Sequence, residues 1–136
     1  MTEAVLDASI VIKWFKPDNE QHLAAAQALR AAVETGAFTV FAPPLLQLEI
    51  LNIAERRWRL GRAALIEIAH RLDALPFDLR QPALGAIAEW TARGMSAYDA
   101  CYVALAQTES IPLITEDKLI LATAPDIARS LTTYSS

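Results

Sequence analysis

At 136 residues, 54% of them apolar, the chain has the length of one domain with one core and somewhat more apolar side chain than such a core needs, so a self-associating face is expected. Twelve basic against 16 acidic side chains leave a net charge of −4, which excludes a protein that holds nucleic acid by bulk positive charge. No charge-free apolar stretch is long enough to cross a membrane, no basic leader with a long apolar run opens the sequence, and the single Cys101 excludes an internal disulfide or a cysteine zinc site, so a cytoplasmic protein is expected.

Ala4 to Leu6 reads as a short buried strand, after which Asp7 and Ser9 offer capping oxygens to a helix through Ile10, Val11, Trp14 and Phe15, closed by Pro17 and Asn19. A helix over about 20–35 ends at Gly36, and Thr39 to Ala42 is the next strand. After Pro43-Pro44 a long helix is expected from Leu45 to Leu60, stopped by Gly61, with another from Arg62 to Leu75. Phe77 to Leu79 reads as a third strand, and Pro82 as the first turn of a helix that reaches Arg93 and stops at Gly94. Ser96 caps a helix to Glu109, Pro112 to Thr115 is a strand, Asp117 caps a short helix, and Ile127 to Ser130 is a last strand. Strands separated by helices predict one domain over 1–136, a mainly parallel sheet covered by helices on both faces, with ligands outside the carboxyl ends of the strands.

Four acids stand out against that frame. Asp7 follows the first strand and Asp117 the fourth, which directs both to one rim, although a plain helix cap would also explain each. Asp99 interrupts an apolar run from Ala97 to Ala106 that reads as a buried helix, where an acid has to be paired, protonated or bound to a cation. A capping box, Ser96-x-x-Asp99, is the competing explanation. Glu49 interrupts another apolar helix and shares a polar stripe with Asn52 at i+3 and Arg56 at i+7, which a solvated edge would also produce. The four are separated by 42, 50 and 18 residues, each beside a different element. Hard divalent cations take oxygen ligands of this kind, and such ions promote in-line displacement at phosphorus. Without a cation the same carboxylates repel one another, and their pKa values rise.

The segments Val5-Leu6-Asp7-Ala8-Ser9 with Lys13-Trp14, Leu48-Glu49-Ile50-Leu51-Asn52, Ser96 to Ala106, and Pro112 to Leu119 resemble those of PIN-domain proteins, and within them the VapC ribonuclease toxins of bacterial toxin-antitoxin pairs. They run through nearly the whole chain. The resemblance implies an α/β/α three-layer sandwich around a mainly parallel sheet, and Mg²⁺ or Mn²⁺ held by Asp7, Glu49, Asp99 and Asp117. It implies an endoribonuclease that hydrolyses RNA with metal-activated water, leaving a 5′-phosphate and a 3′-hydroxyl. It also implies a homodimer, or a heterotetramer-type complex with a cognate antitoxin that covers the site. Ser9, Asn52 and Thr115 match positions that in similar proteins orient the ligands or water. Glu116 is an extra carboxylate without an assigned role.

Arg56, Arg57, Arg59 and Arg62 gather round Trp58, where they could contact RNA phosphates or simply offset the carbonyls of a helix C-terminus, with Glu55 pairing to Arg59. His22 and His70 lack the i,i+4 spacing of a zinc pair and read as helix-surface side chains, while Cys101, Tyr98 and Tyr102 read as core. Two other classes stay open on the residues alone. One is an acid-cluster phosphatase or receiver-like phosphotransfer domain, although Ser9 stands where a haloacid-dehalogenase-type enzyme has its second Asp. The other is a non-catalytic interaction module whose acids are only caps and solvated stripes.

Overall fold

In the computed structural model, which describes residues 2–15 and 21–135, five short strands pair in parallel. They are β1 (Glu3–Leu6), β2 (Thr39–Ala42), β3 (Asp78–Leu79), β4 (Leu113–Ile114) and β5 (Ala128–Arg129), in the order β3-β2-β1-β4-β5. Val5 of β1 stands opposite Phe41 on one side and Leu113 on the other, which makes β1 the central strand. Ala4, Val5 and Leu6 are fully buried, as expected for a parallel strand covered on both faces.

Among the described residues eight helices accompany the strands, seven between them and one after the last: α1 (Ala8–Phe15), α2 (Leu23–Glu34), α3 (Leu45–Trp58), α4 (Arg62–Ala74), α5 (Leu84–Thr91), α6 (Ala97–Glu109), α7 (Lys118–Thr123) and α8 (Leu131–Ser135). The chain steps from β1 to β2 to β3 in one direction, then returns past β1 to β4 and β5. Parallel crossovers are right-handed, so this reversal places α1 to α4 on one face and α5 to α7 on the other, as a three-layer sandwich. Helix α6 is buried without a break from Ala100 to Ala106, consistent with its apolar surface on all sides. Trp14 ties α1 to α2 by donating its indole N–H to the Ala26 carbonyl at 2.9 Å. Among the described residues no helix is long and apolar enough to cross a membrane.

The sequence expectations differ from the structure mainly at helix ends. The expected stop at Gly61 is pre-empted by Arg59, which takes the left-handed conformation (φ 51°) and ends α3 at Trp58, while Gly61, at φ 81°, precedes α4. Pro82 lies ahead of α5 and outside its first turn, because Ala83 is extended (ψ 140°) and the helix begins at Leu84. That helix stops at Thr91, short of Arg93. Helix α2 begins at Leu23, after a left-handed His22, and the expected closure of α1 by Pro17 and Asn19 lies outside the described residues. Helix α8 is an element the sequence pattern did not announce. Ser96 does cap α6, its Oγ accepting from the Asp99 amide at 3.1 Å. Ser96→Ala is expected to lower stability by about 1 kcal/mol, measurable in urea unfolding, without altering the sheet.

Candidate functional site

The topology reverses between β1 and β4, and the crevice at the carboxyl ends of those two strands is where open parallel sheets bind ligands. Asp7 is the first residue after β1, and Asp117 lies three residues beyond β4 at the N-cap of α7. Glu49, from the second turn of α3, and Asp99, from the first turn of α6, approach from the two helical layers. All four line one pocket of about 310 Å³, together with Glu116, Ser9 and Tyr102. A larger cavity of about 510 Å³ lies near Trp90, Gln107 and Ile127 and holds a single carboxylate, Asp126. It belongs to the opposite end of the sheet, beside the strands' amino ends and the C-termini of α5, α6 and α7, and has no comparable set of oxygens.

Asp7 is 5% exposed and is held by hydroxyls at both oxygens. Ser9 donates to Oδ1 through its Oγ at 2.6 Å and its amide at 3.1 Å, and the Thr115 hydroxyl donates to Oδ2. The same hydroxyls accept from the backbone of the β4–α7 turn, Ser9 Oγ from the Glu116 amide at 2.9 Å and Thr115 Oγ1 from the Asp117 amide at 3.0 Å. Two side chains thus fasten the β1 carboxylate to the β4 loop. Asp117 spends Oδ1 on the Ile120 amide at 3.0 Å, so its other oxygen remains for a ligand. Glu49 accepts from the hydroxyl of Tyr102, a 2%-exposed side chain that braces α3 from α6.

Burial raises Asp7 to a pKa of about 6 against the hydroxyl bonds that lower it, and Asp117 adds repulsion. Burial is also the first cause for Glu49, which the Tyr102 hydrogen bond opposes and Asp99 reinforces. Asp99 is raised by burial and then by Asp117. The repulsions therefore link all four acids, Asp7 to Asp117, Asp117 to Asp99 and Asp99 to Glu49.

The donor chemistry suits a hard divalent cation, being entirely carboxylate and hydroxyl oxygen. Glu116 Oε1 adds a specific sign, for it is buried at the pocket without a hydrogen-bond partner, a costly arrangement unless a cation or water completes it. The acids surround the pocket without closing on a point: among the described residues no three of His, Cys, Asp and Glu converge closely enough to grip an ion. Mutual repulsion gives a physical reason for that spacing.

Among the remaining candidates, Ser9 and Thr115 touch Asp7 as described, whereas Asn52 is exposed on α3 and lines no part of the pocket. Arg57 lines the pocket, but Arg56, Arg59 and Arg62 do not. The stripe of α3 that faces the site is Glu49, Ile53 and Arg57, one position round the helix from the expected Asn52 and Arg56. The core stripe Leu46, Ile50 and Ala54 sets that rotation. Tyr102 is core, as expected, and also a site residue; its hydroxyl partner across 53 residues has no local signal in the sequence. Tyr98, expected in the core, is 64% exposed because it sits on the outer side of the first turn of α6.

Thr115→Val would leave Asp7 Oδ2 without its donor and the Asp117 amide without its acceptor. It is expected to reduce any metal-dependent activity by about 10- to 100-fold. The acidic limb of the pH profile should move to higher pH, because a hydrogen bond that favours ionised Asp7 is lost.

Comparison with known proteins adds three findings. The family model of the PIN domain matches residues 4–124. No curated protein matches the sequence. Among solved structures, the chain is similar to PAE2754 from Pyrobaculum aerophilum, at 22% identity and a TM-score of 0.72, covering 98% of this chain and 92% of that one. It is also similar to VapC20 from Mycobacterium tuberculosis, titled a sarcin-ricin loop cleaving toxin, at 17% identity and a TM-score of 0.69, covering 89% of this chain and 95% of that one. At these identities the two likenesses show the fold.

Proposed function

Because this chain belongs to the PIN domain family, we propose that it is an endoribonuclease dependent on Mg²⁺ or Mn²⁺ and the toxin of a toxin-antitoxin pair. The observation that carries the reading is the meeting of four acids from four elements in one pocket at the sheet's switch point, with a fifth carboxylate oxygen left unsatisfied there. Asp7, Glu49, Asp99 and Asp117 would hold the cation. When bound it would supply charge neutralisation and water activation for in-line displacement at phosphorus.

The chain's own residues prepare that chemistry. Ser9 and Thr115 fix the Asp7 carboxylate against the β4 loop, and Tyr102 fixes Glu49. The cap bond to Ile120 orients Asp117. Asp7 ionises around a pH of about 6, so its own charge is fully developed only near neutrality. A substrate phosphate would meet a negative floor, which makes cation loading a condition of binding and lets a strongly acidic site accept an anion.

The same reading assigns the chain a cytoplasmic setting, a homodimeric or antitoxin-bound assembly and an antitoxin partner. The exposed Leu48, Tyr98 and Leu119, each next to or two residues from a pocket acid, supply apolar surface for such contacts. VapC20 is titled for its cleavage of the sarcin-ricin loop, and structured RNA loops are accordingly among the substrates to test.

The test is incubation of the purified chain, stripped of any bound peptide, with tRNAs and ribosomal RNA loops in Mg²⁺, in Mn²⁺ and in EDTA. Discrete fragments carrying 5′-phosphate in the metal arms alone are expected. Release of phosphate from small phosphoesters with all RNAs left intact would instead place the chain among acid-cluster phosphatases.

A further inference from the structure

The acid pocket continues away from the four carboxylates between α1 and α3, and its far wall is basic. Lys13 of α1 and Arg57 of α3 line it there. Along α3 the lining residues are Glu49, Ile53 and Arg57, at i, i+4 and i+8, so one helix stripe carries an acid at one end and a guanidinium about 12 Å farther along the axis.

Lys13 is buried and donates through Nζ to the Gln21 carbonyl at 2.8 Å, so it is part of the wall. Arg57 differs. It is exposed, and among the described residues it makes no hydrogen bond or ion pair although it shares a pocket with five carboxylates. Three other arginines are engaged, Arg30 with Glu34, Arg80 with Asp78 and Glu109, and Arg93 over the ring of Trp90, and among the described residues Arg57 is the one arginine that lines the acid pocket. A general role at the C-terminus of α3 does not account for Arg57 in particular, since Arg56 occupies the same last turn without entering the pocket.

We propose that Arg57 forms a second phosphate subsite, binding a neighbouring phosphate of the same RNA strand whose scissile phosphate lies at the acid end of the pocket; this rests on the ribonuclease reading above. The planar guanidinium presents five donors to phosphate oxygens. The pocket, at about 310 Å³, takes a short stretch of one strand and not a duplex. The gradient from acid to base also orients the strand: the cation-loaded end receives the phosphate to be cut, and Arg57 holds the register. Arg57 is on this account a positioning residue.

Arg57→Gln, Arg57→Lys and, as a control for lost charge, Arg93→Gln are compared with the unaltered full chain. Cleavage kinetics on a single-stranded RNA that the chain cuts are measured in Mn²⁺, and RNA affinity is followed against salt in Ca²⁺, with Mn²⁺ affinity by calorimetry. Arg57→Gln is expected to raise KM about tenfold with kcat changed less than about twofold. The slope of log affinity against log salt should shrink by about 0.7, and Mn²⁺ affinity should stay unchanged. Arg57→Lys should restore most of the salt slope but not the full KM, because it returns the charge without the fork. Wild-type KM and slope in Arg57→Gln, with cleavage intact, would overturn the subsite alone and give the guanidinium to a protein ligand. An equal loss in Arg93→Gln would reduce the effect to bulk charge and overturn it as well. Absence of RNA cleavage and binding by the unaltered chain would overturn the ribonuclease reading itself.

Discussion

Asp7→Asn is expected to reduce metal-dependent RNA cleavage by more than about a hundredfold while making the metal-free chain more stable at pH 8. The two effects have opposite signs because one carboxylate serves function at the expense of folding. Folded Asp7 keeps its proton up to a pH of about 6, whereas the unfolded chain releases it near 3.8. The folded pKa lies above the unfolded one, so the folded state binds the extra proton and stability falls as pH rises from about 4 through about 6. Above that window the ionised, buried group costs on the order of 3 kcal/mol, from the gap between about 6 and 3.8 at about 1.36 kcal/mol per pH unit. Asn carries no charge to desolvate and still accepts from Ser9, so the variant should recover much of that sum. Chemical denaturation of both proteins in EDTA at pH 5 and pH 8 checks it. The advantage of Asp7→Asn should be small at pH 5 and several times larger at pH 8. A variant less stable than the wild type at pH 8 would show that Asp7 contributes to the fold and is not held at its expense.

Addition of Mn²⁺ to the metal-free wild type should reverse the same penalty. A ligand that binds only the folded state stabilises it by about 2.7 kcal/mol at a hundredfold excess over its dissociation constant, a shift in Tm of about 10 °C for a chain of this length. Binding needs ionised carboxylates, so protons are released and the shift should be larger at pH 8 than at pH 5.5. EDTA should abolish it. Melting curves with and without Mn²⁺ at the two pH values read this directly. Equal shifts in the wild type and in Asp7→Asn would place the ion elsewhere.

The parts of this architecture that are written locally were legible in the sequence. Asp7 and Asp117 announce themselves because they end apolar strand segments, and the parallel pairing of β1 with β4 then brings their elements together. Asp99 is visible as a charge inside an apolar helix, and Glu49 as one within the mostly apolar first half of a helix that turns polar from Asn52 onward. What depends on rotation about a helix axis was harder to read: the stripe beside Glu49 runs through Ile53 and Arg57, because the buried stripe of Leu46, Ile50 and Ala54 turns Asn52 and Arg56 out to solvent. Contacts between distant segments were not legible at all. The Tyr102 hydroxyl on Glu49 and the Ser9 hydroxyl under the Glu116 amide exist only once three layers are stacked. Helix ends moved where a non-glycine residue took a left-handed conformation, as at Arg59, since propensity gives no warning of it.

The acids also rationalise a net charge of −4 in a protein proposed to bind RNA. A set of carboxylates that depends on a cation gives the site an electrostatic condition: loaded, it attracts phosphate, and empty, it repels it. A partner that covered the pocket with a basic side chain would mimic the cation's charge without its chemistry.

The most direct measurement is the cleavage of one RNA by the wild type and by Asp99→Asn, each in Mn²⁺ and in EDTA, with circular dichroism of both proteins. Cleavage confined to the wild type in Mn²⁺, with both proteins folded, is the predicted result. Cleavage by the wild type in EDTA, or undiminished cleavage by folded Asp99→Asn, would contradict the assignment of these carboxylates to a cation-dependent nuclease site.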